Sequence, residues 1–356
     1  MKNKNKIATI GIIGGGQLGR MTCHAAQKMG FKTVVFCDQK KSPASFVTNK
    51  TIVADYLDTK ALEKFSSLVD VATFEFENIP LAPIEFLETK VKVFPSSKVL
   101  KITQNRNLEK NFLNSIGIKT TDYAAISSFA DLEKNLNKFQ KAILKTATLG
   151  YDGKGQFVLS DVSQALKIWP EVENRELILE KFCPFNSEIS AIVARSTNGE
   201  IACYEPLSNI HKNGILDESI YPAKISDELK NKAQEIAKKI ALELDLIGVM
   251  AVEFFVVEDE LLVNELAPRP HNSGHFSMDG AITPQFEQLI RAINGLPLGS
   301  AEFHSNGFMK NLIGKEVLEL EKFYQNKNAK IHLYGKAKVV KGRKMGHVNV
   351  LDGIKS

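Results

Sequence analysis

At 356 residues, with 44% hydrophobic and 24% charged side chains, the chain is long enough for two to three domains with buried cores. This excludes a disordered segment, a collagen-like fibre and a small disulfide-stapled scaffold. The 46 basic and 41 acidic residues leave a net charge of +5, which admits anionic small molecules; with no dense basic tract, nothing argues for nucleic acid.

The opening Met1–Lys6 is basic and precedes the apolar Ile7–Ile13. That apolar stretch is only as long as a strand and runs into glycines, which predicts a strand and not a secretion signal. Gln17–Met29 has helical spacing and Gly30 is its C-cap. Further strands are predicted over Thr33–Cys37, Val69–Phe76 and Val91–Phe94, so the first hundred residues alternate strand and helix. The alternation argues for a parallel sheet covered on both faces. After Pro95-Ser96-Ser97, the stretch Val99–Ile116 reads as helix. Short strands follow over Ala142–Lys145, Gln156–Leu159, Leu177–Phe182, Ser187–Arg195 and Ile201–Pro206, in an antiparallel pattern. Leu229–Leu244 is an amphipathic helix, Val249–Val257 and Leu261–Leu266 are strands around an acidic turn, and Ile282–Asn294 is a helix. Short basic strands are predicted from Ala329 onward. No apolar run approaches the roughly 18 residues of a membrane span. Cys23, Cys37, Cys183 and Cys203 form no C-x-x-C pair and sit among apolar neighbours, which fits a reducing compartment and makes the cytosol the expected location.

Five segments carry candidate chemistry. Gly14-Gly15-Gly16-Gln17-Leu18-Gly19 matches G-x-G-x-x-G after the first strand, with Asp38 ending the second. Such a loop lets backbone N–H groups approach a phosphate at a helix N-terminus; a turn that only packs helix on strand is the alternative, and from this motif alone a nicotinamide or flavin cofactor stays open. Lys145 and the loop Gly150-Tyr151-Asp152-Gly153-Lys154-Gly155-Gln156 can fold over a triphosphate, or can be a solvated hairpin. Glu253 and Glu265 lie six residues either side of Asp259. A hairpin centred there makes them direct cross-strand partners. Two facing carboxylates among apolar neighbours suit Mg²⁺ held jointly with phosphates; a register slipped by one turns a carboxylate to water instead. The next segment, Pro268-Arg269-Pro270-His271-Asn272-Ser273-Gly274-His275, sets an arginine and two histidines beside the carboxylates, where the arginine suits an anion, unless the segment is a plain turn. Last, Tyr334-Gly335-Lys336 and Lys341-Gly342-Arg343-Lys344-Met345-Gly346-His347 form a basic hairpin that either grips a phosphate monoester or is a solvated edge.

Taken in order, IGIIGGGQLGRM, TFEFENIP, QNR, ILKTATLGYDGKGQ, LEKF, NSEIS, NIHKNGIL, VEFFV, LVNELAPRPHNSGH and LYGKAKVVKGRKMGHVN resemble the ATP-grasp superfamily. Within it, they resemble the N5-carboxyaminoimidazole ribonucleotide synthetase family, over nearly the whole chain. The resemblance implies an α/β and α+β architecture: an N-terminal Rossmann-like domain (1–104), an ATP-grasp domain (105–298) and a small C-terminal β-rich domain (299–356). It implies ATP, bicarbonate and 5-aminoimidazole ribonucleotide as substrates, Mg²⁺ as cofactor and a homodimer. Arg106, Lys145 and the Gly150–Gln156 loop resemble contacts to the nucleotide phosphates. Glu180, Lys181, Phe182 and Cys183 resemble the hinge that reads adenine, and Glu188 the acid on the ribose. His211 and Asn264 resemble further nucleotide contacts, with Glu265 serving both nucleotide and metal beside Glu253. Arg269 and His271 match the pair that handles the bicarbonate-derived group. Gln17, Leu18, Glu75 or Glu77 or both, Tyr151, Asp152 and Asn272 resemble the ribonucleotide site, and Lys336, Arg343 and Lys344 the grip on its 5′-phosphate. The chain departs from the pattern at Asn105, where relatives often carry an acid, and at Phe182-Cys183-Pro184-Phe185, where they have a glycine-containing turn. The competing readings are a formate-dependent glycinamide ribonucleotide transformylase, a nicotinamide-dependent dehydrogenase and a nucleotide-binding module without catalysis.

Overall fold

The computed structural model describes residues 7–150 and 155–354. The alternation of the first hundred residues builds a five-stranded, wholly parallel sheet. Its order is Lys50–Val53, Lys32–Cys37, Thr9–Ile13, Val71–Phe74 and Lys92–Val93. Every residue of Thr9–Ile13 is buried, as a strand covered on both faces requires. The sequence patterns do not show the edge strand Lys50–Val53, because Ile52 is its one buried side chain. They also miss the short helix Thr59–Ser66, which Asp58 caps by accepting the Ala61 N–H.

The helix expected over Val99–Ile116 is two helices, Ser97–Thr103 and Arg106–Ser115. Asn105 divides them. Its backbone is extended and its side chain accepts from the N–H groups of Asn107 and Leu108, so the second helix starts on a side-chain cap. Arg106 is thereby fixed at a helix start, and its N–H donates to the Ala147 carbonyl at 2.8 Å.

The antiparallel part divides into two sheets. One has four strands in the order Tyr123–Ile126, Leu177–Lys181, Ala142–Thr146, Gln156–Leu159. The other has nine and runs Glu260–Ala267, Gly248–Val257, Ser187–Arg195, Leu207–Lys212, Ile215–Tyr221, Ser305–Ile313, Lys344–Ile354, Ala329–Leu333, with Ile201–Cys203 paired to Ser187–Arg195. The C-terminal strands thus continue the large sheet through the pairing of Ile215–Tyr221 with Ser305–Ile313. Ser305–Ile313 escapes the sequence patterns because Lys310 and Asn311 interrupt its apolar alternation. Helix Asp227–Glu243 covers one face of this sheet with Leu229, Ala233, Ala237, Ile240 and Ala241, spaced as one helical stripe. Helix Gln285–Asn294 packs against Gln17–Lys28. Leu18 and Met21 meet Phe286 and Tyr334 there, and this contact turns the glycine loop toward the large sheet. Among the described residues no helix is long and apolar enough to cross a membrane.

Candidate active site

Where the three sheets meet lies a cavity of about 650 Å³. Gln17, Leu18, Glu75 and Glu77 enter its wall from the parallel layer. Arg106 and Gly150 enter beside the small sheet, and Glu265, Arg269, His271 and Asn272 from the large one. Lys336, Arg343 and Lys344 complete it from the C-terminal strands. Residues far apart in sequence therefore converge on one space.

Glu253 and Glu265 stand directly opposite each other. The route to that pairing differs from a three-residue turn centred on Asp259. The turn has two residues, Glu258 and Asp259, because Val257 already pairs with Glu260, and Glu258 adopts φ 52°. Continued regularly, that register would set Glu253 against Asn264. A bulge between Glu253 and Phe254 leaves Asn264 as the extra residue and restores the facing carboxylates. Burial, and then the charge of Glu265, pushes the Glu253 carboxyl above the ordinary range. Arg106 reaches Glu265 at 3.1 Å, and His271 Nδ1 lies 3.5 Å from Glu253. The Asn264 Oδ1 is buried without a hydrogen-bond partner among the described residues.

Arg269 sits between the buried Pro268 and Pro270. Glu77 holds its guanidinium by two bonds, NH2 to Oε1 at 2.7 Å and Nε to Oε2. Burial alone would raise the Glu77 carboxyl, and the guanidinium outweighs it and holds the group below the usual range. The neighbouring imidazoles have assignable tautomers. The Ser273 N–H donates to His271 Nδ1 at 3.3 Å, so the neutral ring carries its proton on Nε2. The buried Gln285 accepts the His271 N–H at 2.9 Å and donates to its carbonyl at 2.8 Å. This fixes the amide orientation, so Gln285 Nε2 donates to His275 Nδ1 at 3.0 Å, and His275 too is an Nε2–H donor. Burial first, then nearby positive charge, holds both rings well below the ordinary imidazole range. Asn272 exchanges amide hydrogen bonds of 3.0 and 2.7 Å with Asn311.

A second group adjoins the cavity without lining it. Lys145 meets Glu180 at 2.8 Å, and Lys110 meets the same carboxylate at 3.7 Å. Burial disfavours the Glu180 charge, but the two ammonium groups outweigh it and draw the carboxyl down to about 2. Strand Leu177–Lys181 then runs into Phe182 and Cys183. Lys181 points outward to Asp122 at 3.5 Å, and the Lys141 ammonium lies 3.8 Å over the Phe182 ring. Beyond Cys183, Phe185 stacks on Phe255 at 4.5 Å. Glu188 accepts from His211 at 2.7 Å, and this bond outweighs burial and raises the imidazole. Gly155 takes φ 71°, and Gln156 pairs with Lys145. Tyr151, Asp152, Gly153 and Lys154 lie outside the described residues.

The glycine loop departs from the phosphate-binding expectation. Glu75 accepts from the Gly19 N–H at 2.6 Å and also from the Gly16 N–H. A side-chain carboxylate thus fills the N-terminus of Gln17–Lys28, where a cofactor phosphate would sit. Asp38 is exposed. The nicotinamide or flavin reading loses its main support here. At the far wall, the Lys336 ammonium donates to the Lys344 carbonyl at 2.6 Å, closing the basic hairpin on itself.

Comparison with known proteins decides the family. The family model of the ribonucleotide synthetase preATP-grasp domain matches residues 7–104, and that of the ATP-grasp domain residues 111–286. That of the phosphoribosylaminoimidazole carboxylase C-terminal domain matches residues 307–354. N5-carboxyaminoimidazole ribonucleotide synthase of Bacillus subtilis (strain 168) is 44% identical, over 97% of this chain and 91% of its own. The chain belongs to the N5-carboxyaminoimidazole ribonucleotide synthase family. A solved ADP complex of such a synthetase superposes with a TM-score of 0.94 at 43% identity, over 97% of this chain and 92% of that one. The synthase of Aspergillus clavatus, solved with ADP and 5-aminoimidazole ribonucleotide, superposes with a TM-score of 0.91 at 29% identity, over 97% and 94%. A bifunctional purine synthesis protein of Dictyostelium discoideum is 43% identical over 96% of this chain, which spans 37% of that longer protein.

Within this synthase fold, sequence reading misses Gln104, Glu109 and Lys110. Gln104 is the C-cap of helix Ser97–Thr103, and Glu109 and Lys110 lie on helix Arg106–Ser115. Gln104 donates to the Glu77 carbonyl at 2.6 Å. Glu109 accepts the Leu266 N–H at 2.9 Å, and burial raises its carboxyl. The apparent signal for Lys110 is only a lysine on an amphipathic helix, which reads as solvent-facing; its side chain is 1% exposed.

Proposed function

We propose that this chain carboxylates the exocyclic amine of 5-aminoimidazole ribonucleotide, using ATP and bicarbonate, as a step of purine biosynthesis. One observation carries the reading: Glu265 with Arg106, the Arg269–His271 segment, and the basic Lys336, Arg343 and Lys344 border one space, with Glu253 directly behind as the partner of Glu265 and 3.5 Å from His271. The reaction needs those three elements, one for the nucleotide phosphates, one for the carboxyl group and one for the ribonucleotide phosphate. Similarity along nearly the whole chain to a structure holding ADP and 5-aminoimidazole ribonucleotide supports it.

A bicarbonate oxygen attacks the γ-phosphorus, the bond to the ADP oxygen breaks, and carboxyphosphate forms. The amine lone pair of the ribonucleotide then makes the new N–C bond, at carboxyphosphate or at CO₂ released from it. Phosphate leaves with the former C–O electrons, and the amine loses one proton. Phosphoryl transfer depends on alignment and charge neutralisation more than on covalent help. Lys145, held by Glu180, and Arg106 are the cations for the nucleotide phosphates. Arg269 and the Nε2–H of His271 offer donors to the carboxyl oxygens. Lys336, Arg343 and Lys344 attract the 5′-phosphate, and Glu188 with His211 receives the ATP ribose.

Glu253 and Glu265 fit Mg²⁺: they are hard oxygen ligands, crowded together and partly uncompensated. Among the described residues no cluster of three or more His, Cys, Asp or Glu could hold a metal, so the pair suits an ion that takes its other oxygens from phosphate and water. Bound there, Mg²⁺ supplies neutralisation of phosphate charge. A homodimer follows by analogy with the family, and a cytosolic location fits the four free cysteines.

The test is ADP release from MgATP in bicarbonate-depleted buffer, with bicarbonate and 5-aminoimidazole ribonucleotide restored singly and together. Release that needs both supports the reading. Release with formate and glycinamide ribonucleotide in their place would keep the ATP site and overturn the substrate.

A further inference from the structure

The guanidinium of Arg269 is only partly used. It has five N–H donors. Glu77 takes Nε and one hydrogen of NH2, and NH1 donates to the Pro270 carbonyl at 3.2 Å. Among the described residues one N–H on each terminal nitrogen has no partner, and the NH1/NH2 edge, which fits a carboxylate or phosphate, is not the edge that Glu77 takes. Arg269 lines the cavity, and both Glu77 oxygens are already engaged by it.

Each partner is held from a different layer. Strand Val71–Phe74 delivers Glu77 to the cavity, and Gln104 binds the Glu77 carbonyl at 2.6 Å and also the Ile79 carbonyl. Strand Glu260–Ala267 delivers Arg269, whose N–H donates to the Ala267 carbonyl at 2.8 Å. The ion pair therefore spans the parallel layer and the large sheet, 192 residues apart in sequence. A long arginine side chain in a cavity samples many rotamers unless something fixes its plane. A bidentate carboxylate on one edge does so and leaves the opposite edge pointed one way.

We propose that Glu77 is a positioning residue: it holds Arg269 by the Nε/NH2 edge so that the NH1/NH2 edge meets the bicarbonate-derived carboxyl group, and it does not itself bind the ribonucleotide. This rests on the reading of Arg269 given above. It divides the two acids of the TFEFEN segment, since Glu75 serves the glycine loop and Glu77 serves Arg269.

The experiment is a double-mutant cycle in the full chain, with Glu77→Gln, Arg269→Ala and the pair, read by ADP release and product formation. Glu77→Gln is expected to lower kcat on the order of 100-fold, the cost of misplacing a reacting group by about 1 Å. It is expected to raise KM for bicarbonate and to leave KM for 5-aminoimidazole ribonucleotide within about twofold. The double variant should be no worse than Arg269→Ala, because residues acting as a unit are not additive. Multiplying losses would overturn the proposal, as would a raised ribonucleotide KM at unchanged kcat. If Glu77→Gln does not fold, the Glu77→Asp and Arg269→Lys cycle is judged by the same coupling. Added guanidinium ion should rescue Arg269→Ala when Glu77 is present and fail in the double variant; equal rescue in both would also overturn it. If the unsubstituted chain shows no release dependent on bicarbonate and ribonucleotide, the reaction itself is misread; the coupling outcomes judge Glu77 alone.

Discussion

The glycine loop and the carboxylate hairpin face the same cavity with opposite charge balances. At the loop, the N-terminus of helix Gln17–Lys28 offers partial positive charge, and the Glu75 carboxylate is already bonded to the Gly16 and Gly19 N–H groups. At the hairpin, two carboxylates face each other, with Arg106 on Glu265 and a neutral imidazole 3.5 Å from Glu253. The N–H groups of the loop are satisfied without a ligand, though burial still raises the Glu75 carboxyl; at the hairpin two carboxylates are left facing each other. A motif therefore tells where backbone N–H groups converge and not whether they are vacant. Uncompensated charge is the better guide to where a ligand goes.

That contrast can be broken at the hairpin first, where the largest effect is expected. Glu253→Gln removes a carboxyl that burial and Glu265 already hold in its neutral form's favour. Turnover should fall about 100- to 1,000-fold, the usual scale for losing one element of transition-state electrostatics, while the melting temperature without nucleotide stays level or rises. Steady-state ADP release and a thermal melt of the same preparation check both halves. Full activity in this variant would remove the metal reading.

Glu75→Gln is the matching change at the loop, and its effect should fall on stability. An amide has one acceptor oxygen for two N–H groups, so one buried donor loses its partner, at about 1–3 kcal/mol. Urea unfolding should show the loss. A hairpin variant that unfolds early, or a loop variant with unchanged stability, would reverse the comparison.

The pH dependence sharpens it further. Glu253 and Glu109 both have carboxyl groups raised, from the ordinary 4.5 to about 8, chiefly by burial. A raised folded-state value means that the folded chain binds more protons than the unfolded one. Their contribution to stability is therefore complete below pH 4.5 and is lost as pH rises toward 8. Glu180, drawn down to about 2 by Lys110 and Lys145, acts in the opposite sense: its contribution is present above 4.5 and is lost as pH falls toward 2. Melting temperature without nucleotide should peak in mildly acidic buffer. MgATP should protect more at pH 8.5 than at pH 6.5, because the ion favours ionised carboxylates. Equal protection at both would count against the pair as its ligands.

The sequence patterns give the parallel layer and the hairpin, while the place of the basic C-terminal residues at the site follows only from the family resemblance. Local spacing suffices for the layer and the hairpin, since Ile10, Ile12 and Ile13 make a short apolar run and the acidic turn is plain. The facing of Glu253 and Glu265 is also legible, but through two shifts that offset each other: a turn one residue shorter, and a bulge at Asn264. What local spacing cannot carry is the pairing of buried charges across layers. Lys110 and Glu180 are 70 residues apart, and Arg269 and Glu77 are 192 apart. A charged residue on an amphipathic element reads as solvent-facing until its distant partner is known.

The smallest expected effect lies at Asn105, the residue that divides the two helices. Its Oδ1 caps helix Arg106–Ser115, and its Nδ2 donates to Glu176 at 2.8 Å. Asn105→Ala removes the cap and should cost about 1 kcal/mol. Because the next residue is Arg106, frayed helix geometry should also raise KM for ATP, with kcat changed less. Asn105→Asp keeps an acceptor at the cap and strengthens it by favouring negative charge at a helix start, but it replaces the bond to Glu176 with repulsion. Those two terms oppose each other on an exposed pair, so Asp should melt within about 0.5 kcal/mol of the parent. A melt of both variants beside an ATP titration separates the terms. If Asp loses as much as Ala, the Glu176 bond matters more than the cap, and Arg106 is placed from the Glu176 side of the helix.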